Sequence, residues 1–336
     1  MKHDNFFIFK AKDNHGLGVL MGKSFSSRIR SIVEKESKKP DWSARVLRAQ
    51  KYLKINQKYF PDFIDELKGY SEGSGIDFIY LWALHLEEEV SQIINQNRCT
   101  TIITNDGLLI AHNEDWGKTS ANTSCFLFKE IGKTKIFELH YYHTLGGDAI
   151  GINSNGFVSA VNSLSHPDAR VGVSRSIIAR WLSETKNPEK DFQKLKGIPR
   201  ASGYNHNIVN SYGKIWNLEC TAKKIVLSHP TSPFVHTNHY LSELRAFDVN
   251  DNSTATIKRY NSAQLLTKPH MTINKLMDIT NDTSSGDANS IMNERTVAKM
   301  VIDVKSLAVK GWLRSEKEKG WVDYNLKDLF YQNRSR

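Results

Sequence analysis

Apolar residues recur at helical spacing in the first third of the chain and at strand spacing through most of the remainder. Leu20, Phe25, Ile29, Ile32 and Val33 share one side of a helix predicted over 16–36, and glycines at 16, 18 and 22 suit close packing at its start. A second helix is predicted from about Ser43 to Tyr59, ending near Pro61. After the loop signal Ser-Glu-Gly-Ser-Gly at 71–75, Asp77 caps a third, which carries Phe78, Leu81, Trp82, His85, Leu86, Val90 and Ile93 at helical spacing. From residue 99 the pattern predicts strands at 99–105, 108–114, 124–130, 134–142, 148–153, 157–162, 206–211, 214–219, 224–228, 234–238, 296–303 and 307–313. Helices are predicted at 173–185, 188–196, 260–267 and 272–280, with a polar loop at 281–290. Strands in runs, with helices in separate blocks, indicate α+β layers rather than a wound parallel sheet.

The change of texture falls at Arg98 to Trp116. Thr100 to Thr104 is β-branched throughout, Asp106-Gly107 is a tight-turn signal, and Leu108 to Ala111 is apolar again, so the stretch reads as a hairpin. With Asp106 and Gly107 as the loop pair, Cys99 faces Glu114, and a one-residue bulge would bring Asp115 to the same face. A thiol at the start of a strand, with carboxylates and an amide beside it, has the makings of a nucleophile site.

Composition narrows the choices. The chain has 336 residues, enough for one large domain or two closely joined ones. Three cysteines, at 99, 125 and 220, stand at no metal-ligand spacing, so neither a disulfide framework nor a zinc site is expected; Cys125 and Cys220 read as ordinary strand cysteines. The start holds only the short run Phe6-Phe7-Ile8-Phe9, and no apolar run approaches membrane-spanning length, so a cytoplasmic protein with no membrane partner is expected. The net charge of +10 raises nucleic acid as a partner, but the basic residues are dispersed among acids and no nucleic-acid motif accompanies them. No nucleic-acid partner is expected.

The motifs, taken together, carry a resemblance. Cys99-Thr100-Thr101-Ile102 followed by His112-Asn113-Glu114-Asp115-Trp116 resembles the Cys-Thr … Asn-x-Asp-Trp signature of the acyl-coenzyme A:6-aminopenicillanic acid acyltransferase family, which are cysteine Ntn-hydrolases. Gly18 to Ile29 is similar to the family's N-terminal glycine helix, and Leu84 to Glu89 sits where its Leu-Asn-x-x-x-Glu helix lies. Ile150 to Gly156 with Val161-Asn162 matches its Gly-x-Asn-x-x-Gly … Asn block, and His236 to Tyr240 its Thr-Asn-His block. Thr296 to Trp312 looks like its closing strand pair.

The resemblance implies a four-layer αββα sandwich with an N-terminal helical segment, made as a precursor that cuts itself at Arg98-Cys99. Residues 1–98 would form the α-chain and 99–336 the catalytic β-chain, the two staying associated. It implies Cys99 as nucleophile with its freed amine as base, Asp115 holding that amine, Asn238 as oxyanion donor, Asn153 as a second polar contact and Arg295 as the arginine near the thiol. Glu114 fills the open position of the signature, leaving two adjacent carboxylates as candidates. The reaction implied is cleavage of a linear amide of a small N-acyl or aminoacyl compound through a Cys99 acyl-enzyme, possible also with acyl-coenzyme A as donor. No cofactor and no metal is implied. Two other readings stand beside it: a Cys-His protease using His112 or His143, and an uncleaved basic binding protein on a degenerate scaffold.

Overall fold

The computed structural model describes residues 2–91, 98–248, 254–287 and 289–331. Its strands are β1 (Phe6–Ala11), β2 (Arg98–Thr104), β3 (Leu109–Asp115), β4 (Ser124–Ile131), β5 (Thr134–Tyr141), β6 (Ile150–Asn153) and β7 (Phe157–Ser163). They continue with β8 (Tyr204–Asn210), β9 (Ile215–Cys220), β10 (Ile225–Ser228), β11 (Phe234–His236), β12 (Thr296–Asp303), β13 (Ala308–Leu313) and β14 (Val322–Asn325). The helices are α1 (Asn14–Ser37), α2 (Trp42–Tyr59), α3 (Pro61–Ser74), α4 (Phe78–His85), α5 (Glu87–Val90), α6 (Arg175–Leu182), α7 (Pro188–Lys196), α8 (Thr254–Leu266), α9 (Ile273–Thr280) and α10 (Leu326–Tyr331).

Two sheets stack face to face. One runs β1-β4-β5-β6-β7-β8-β9-β10 and the other β11-β2-β3-β12-β13-β14. The alternation of each strand assigns its side chains to layers. On β4, Phe126 and Phe128 point between the sheets, where they meet Ile103, Ile110 and Met300 of the other sheet. Cys125 and Leu127 point the other way, into a core with Leu17, Met21 and Phe25 of α1, Ile177 of α6 and Leu195 of α7. On the far side of the second sheet, Ile102, Ala111 and Val301 pack on Ala263 of α8 and on Leu276 and Ile279 of α9. This is the expected αββα sandwich. No helix among the described residues is long and apolar enough to cross a membrane.

Four elements were not legible in the apolar pattern: β1, α3, β14 and the short α10. The Phe6-Phe7-Ile8-Phe9 run is the middle of β1, which pairs in parallel with β4 and gives the N-terminal segment an edge of the first sheet as well as its helices. α3 fills residues given no element by the sequence pattern and most of the expected 71–75 loop, ending at the Gly75 left-handed C-cap. Its glycines at 69 and 73 face Gly18 and Gly22 of α1 so closely that a Cβ at any of the four would overlap backbone of the other helix. Those glycines lower local helix propensity in exchange for a helix-to-helix approach that no side chain allows. β14 is only four residues long and alternates buried with exposed positions on the sheet edge.

Candidate active site

The β2–β3 hairpin folds as its sequence dictates. Asn105, Asp106 and Gly107 all have positive φ, and the Leu108 N–H donates to the Asn105 carbonyl at 3.0 Å. Such a turn demands residues tolerant of left-handed backbone, and Asn-Asp-Gly supplies them. The register that follows sets Cys99 against Glu114 and Arg98 against Asp115, with no bulge between the two strands. The bulge lies on the other edge of β3, where Val297 is the extra residue between the pairs Thr296–Asp115 and Ala298–Glu114. Glu114 is therefore the carboxylate that shares the Cys99 face, and Asp115 stands opposite Arg98.

Cys99 is buried and each of its polar atoms is held. Its S–H donates to Glu114 Oε2 at 3.6 Å, and its N–H to Asn238 Oδ1 at 2.7 Å. Its carbonyl accepts from Arg259 Nη1 at 2.8 Å. Arg259 also donates to Thr100 Oγ1 and, at 2.9 Å, to Asn238 Oδ1. Two donors meeting at Oδ1 fix which end of the Asn238 amide faces Cys99. Its Nδ2 donates away, to the Ser163 carbonyl. In this uncut chain Asn238 meets Cys99 as an acceptor, whereas an oxyanion donor was expected.

Glu114 is the centre of a buried network. Oε1 accepts from the Tyr141 hydroxyl at 2.8 Å, and Oε2 lies 2.8 Å from His112 Nε2. His112 Nδ1 lies 2.9 Å from Thr101 Oγ1, which donates to Asn162 Oδ1. Since the Thr101 proton goes to Asn162, His112 Nδ1 must be the donor to Thr101. With both its ring nitrogens committed, His112 is not paired with the thiol as a Cys-His protease requires.

Asp115 accepts from Thr296 Oγ1 at 2.6 Å and from Asn293 Nδ2 at 2.8 Å. Burial pushes its carboxyl above the usual range, against the opposing pull of Arg259. Burial, with Glu114 and Asp115 near it, also pushes the Cys99 thiol well above the usual cysteine range; the Asp115 backbone N–H and Arg259 oppose this. In the uncut chain the thiol is therefore kept protonated.

Two expected residues sit differently. Asn153 donates to the carbonyls of Ser183 and Thr185 and accepts from the N–H groups of Asn155 and Phe157, so its amide ties a turn to the end of α6. The guanidinium that contacts Cys99 is that of Arg259, on α8; the main chain of Arg295 bonds Trp116 and Asn293 beside the bulge. Arg259 was missed because the predicted helix began at residue 260. Its signal is a charge on the buried stripe Thr256, Arg259, Ala263 of α8. A fully buried guanidinium costs several kcal/mol if left unpaired, and here Cys99, Thr100 and Asn238 accept from its two Nη groups.

Cys99 Sγ, His112 Nε2 and Glu114 Oε2 lie within 4.8 Å of one another, a sulfur, nitrogen and oxygen set that could hold a metal ion and that cysteine spacing did not reveal. A cleft opens beside the network, walled by Trp116 and Tyr141 and lined further in by His85, Glu87, His143 and Asp148. A larger hollow, lined by Asn105 and Leu108, is at the turn end of the hairpin. Five strand steps of about 3.3 Å separate that end from Cys99, too far for it to serve the thiol.

Residues 103–317 match the model of the acyl-coenzyme A:6-aminopenicillanic acid acyl-transferase family. The chain belongs to this family. A beta-alanyl-dopamine/carcinine hydrolase of Drosophila melanogaster is 27% identical over an alignment of 218 residues, with 56% of this chain and 56% of that relative covered. Among solved structures, a penicillin V acylase from Agrobacterium tumefaciens is similar at 15% identity and a TM-score of 0.42, over 65% of this chain and 83% of its own. A conjugated bile acid hydrolase from Clostridium perfringens is similar at 13% identity and a TM-score of 0.45, over 69% and 93%. The family match begins inside β2 and leaves β1 and the helices α1 to α5 outside it.

Proposed function

We propose that this chain is a self-processing cysteine amidase of the N-terminal-nucleophile kind, acting on small N-acyl or aminoacyl amides. The observation that carries the reading is the Cys99–Glu114 pair: a strand-initial thiol 3.6 Å from a carboxylate, with its own N–H on Asn238 and its carbonyl on Arg259. In the first step Glu114 takes the thiol proton as Sγ attacks the Arg98 carbonyl carbon. The C–N bond to Cys99 breaks, its nitrogen takes up a proton, and a thioester forms. Water cleaves that thioester, leaving the Arg98 carboxylate and a free Cys99 amine.

The new amine has an ordinary pKa of about 8 and can exchange the thiol proton near neutral pH. Asn238 Oδ1 holds it as it holds the amide now. Asp115, opposite Arg98 and fixed by Thr296 and Asn293, supplies negative charge beside it. The same thiol then attacks the substrate carbonyl, the amine half leaves with a proton, and water releases the acyl group. An amine or thiol acceptor in place of water makes the same thioester a transfer intermediate, and acyl-coenzyme A would load it from the other side.

After the cut the N-terminal piece stays in place. β1 remains hydrogen-bonded to β4, and Leu17, Met21 and Phe25 remain in one core with Cys125 and Leu127. The substrate class follows from the Drosophila relative named for β-alanyl compounds, and short aminoacyl amides are the first to try. Incubation with such an amide, followed by rapid acid quench and intact mass, tests the chemistry. An acyl adduct on the Cys99 peptide, absent from Cys99→Ala, supports it; turnover without an adduct that also survives in Cys99→Ala overturns it.

A further inference from the structure

The cleft beside the thiol has an unusual lining. It is bounded by α4 and α5 on one side and by the connection from β5 to β6 on the other. Three carboxylates line it. Glu88 is neutralised by Arg175 and accepts from the Tyr204 hydroxyl. Among the described residues Glu87 has distant ion partners, Arg45 at 3.9 Å and His143 at 4.0 Å. Among the described residues, no cation lies within ion-pair distance of Asp148, whose carboxylate has the Thr144 hydroxyl at 3.5 Å. Burial, with Glu138 and Glu114 near it, pushes the Asp148 carboxyl up to about 7.

A second observation points to a ligand. His85 is 2% exposed, lines the cleft, and among the described residues neither ring nitrogen has a hydrogen-bond partner. A buried polar group left unpaired is destabilising, and both nitrogens of this ring are in that state among the described residues. Burial and the neighbouring His143 hold His85 neutral, with its pKa down to about 3. Its unprotonated nitrogen is thus an acceptor facing a space with an uncompensated carboxylate.

Carboxyl groups short of cation partners and an unused acceptor match a primary ammonium with several N–H donors to place. We propose that this cleft binds the ammonium of the substrate's acyl half, with Asp148 as its ion partner and Glu87 and His85 as further acceptors. The inference rests on the amidase reading of Cys99 and names the substrate within it as a short aminoacyl amide. Tyr141, which lines the cleft, donates to Glu114, and Glu114 in turn meets Cys99 Sγ, so two hydrogen bonds connect the cleft wall to the thiol. The buried α4 residues Leu84 and His85 are part of its lining.

The test compares binding of β-alaninamide with that of propionamide, its analogue lacking the ammonium, to the full-length protein and to Asp148→Asn by ligand-observed NMR. The expected result is a preference of at least about tenfold for β-alaninamide, reduced to about twofold or less in the variant. Equal affinities in the unaltered protein, or a preference that survives Asp148→Asn, would overturn the proposal. Melting temperatures are measured alongside, and the comparison of ligands on the unaltered protein stands even if the variant fails to fold. Binding needs no reaction at Cys99. Failure of the amidase reading would therefore show as a missing acyl adduct with the preference intact, and failure of the ammonium site as an adduct formed without preference.

Discussion

Cys99 and Glu114 face each other across the β2–β3 hairpin, sulfur to carboxylate oxygen 3.6 Å, in a register set by an Asn-Asp-Gly turn. The pairing has a chemical sense beyond its geometry. The thiol is buried among carboxylates that hold its proton on, and the nearest of them is placed to take that proton when the thiol attacks. Glu114→Gln keeps the shape and the hydroxyl contact of Tyr141 but removes the base. The expected outcome is self-cleavage slowed by about 10²-fold or more, read as the loss of intact chain with time. A variant that cleaves at the unaltered rate would remove Glu114 from the mechanism.

The proton on Cys99 also predicts a pH profile. In uncut protein the thiol pKa is raised, so thiolate is scarce at neutral pH and grows about tenfold per pH unit until the pKa is passed. Alkylation of Cys99 by iodoacetamide in the slowly cleaving Glu114→Gln chain, where burial and Asp115 still raise the thiol pKa, should therefore still be climbing above pH 9. A plateau below pH 8 would contradict the burial argument.

Arg259 joins the Cys99 carbonyl, Thr100 and Asn238 from a buried position on α8. Arg259→Ala leaves those acceptors unmet and is expected to destabilise the fold by about 3 kcal/mol, with loss of self-cleavage. Denaturant unfolding measures the first and intact mass the second. Full cleavage in Arg259→Ala at unchanged stability would show that the guanidinium only fills space.

The α1–α3 contact is tested by Gly69→Ala. A Cβ at Gly69 would overlap the His15 carbonyl, so the helices must separate, at a cost of about 2–4 kcal/mol, whereas an exposed helical glycine replaced by alanine gains stability. The midpoint of chemical unfolding should fall; a rise would mean that the two helices do not pack at these glycines.

Much of this was written in local sequence. The hairpin register followed from one turn, since side chains alternate with a period of two and a fixed loop fixes every pair outward to Cys99–Glu114. The layers followed from where the pattern changes period. What escaped depends on partners distant along the chain. β1 is a strand because β4 lies beside it, and α3 is a helix whose glycines are explained only by α1. Arg259 lies 160 residues from Cys99, and a charge on a buried helix stripe becomes meaningful only once the stripe meets β2. Asn153 fits the family block in sequence, yet its four main-chain hydrogen bonds give it to a turn.

The central claim is that Cys99 cuts its own chain and then works from the new terminus. The most direct measurement is the intact mass of freshly purified protein, unaltered beside Cys99→Ala. The account predicts pieces of about 11 and about 27 kDa from the 38.3 kDa unaltered chain, co-eluting until denatured, and a whole Cys99→Ala chain. If both chains stay whole through long incubation, or if Cys99→Ala splits as readily, the account is contradicted.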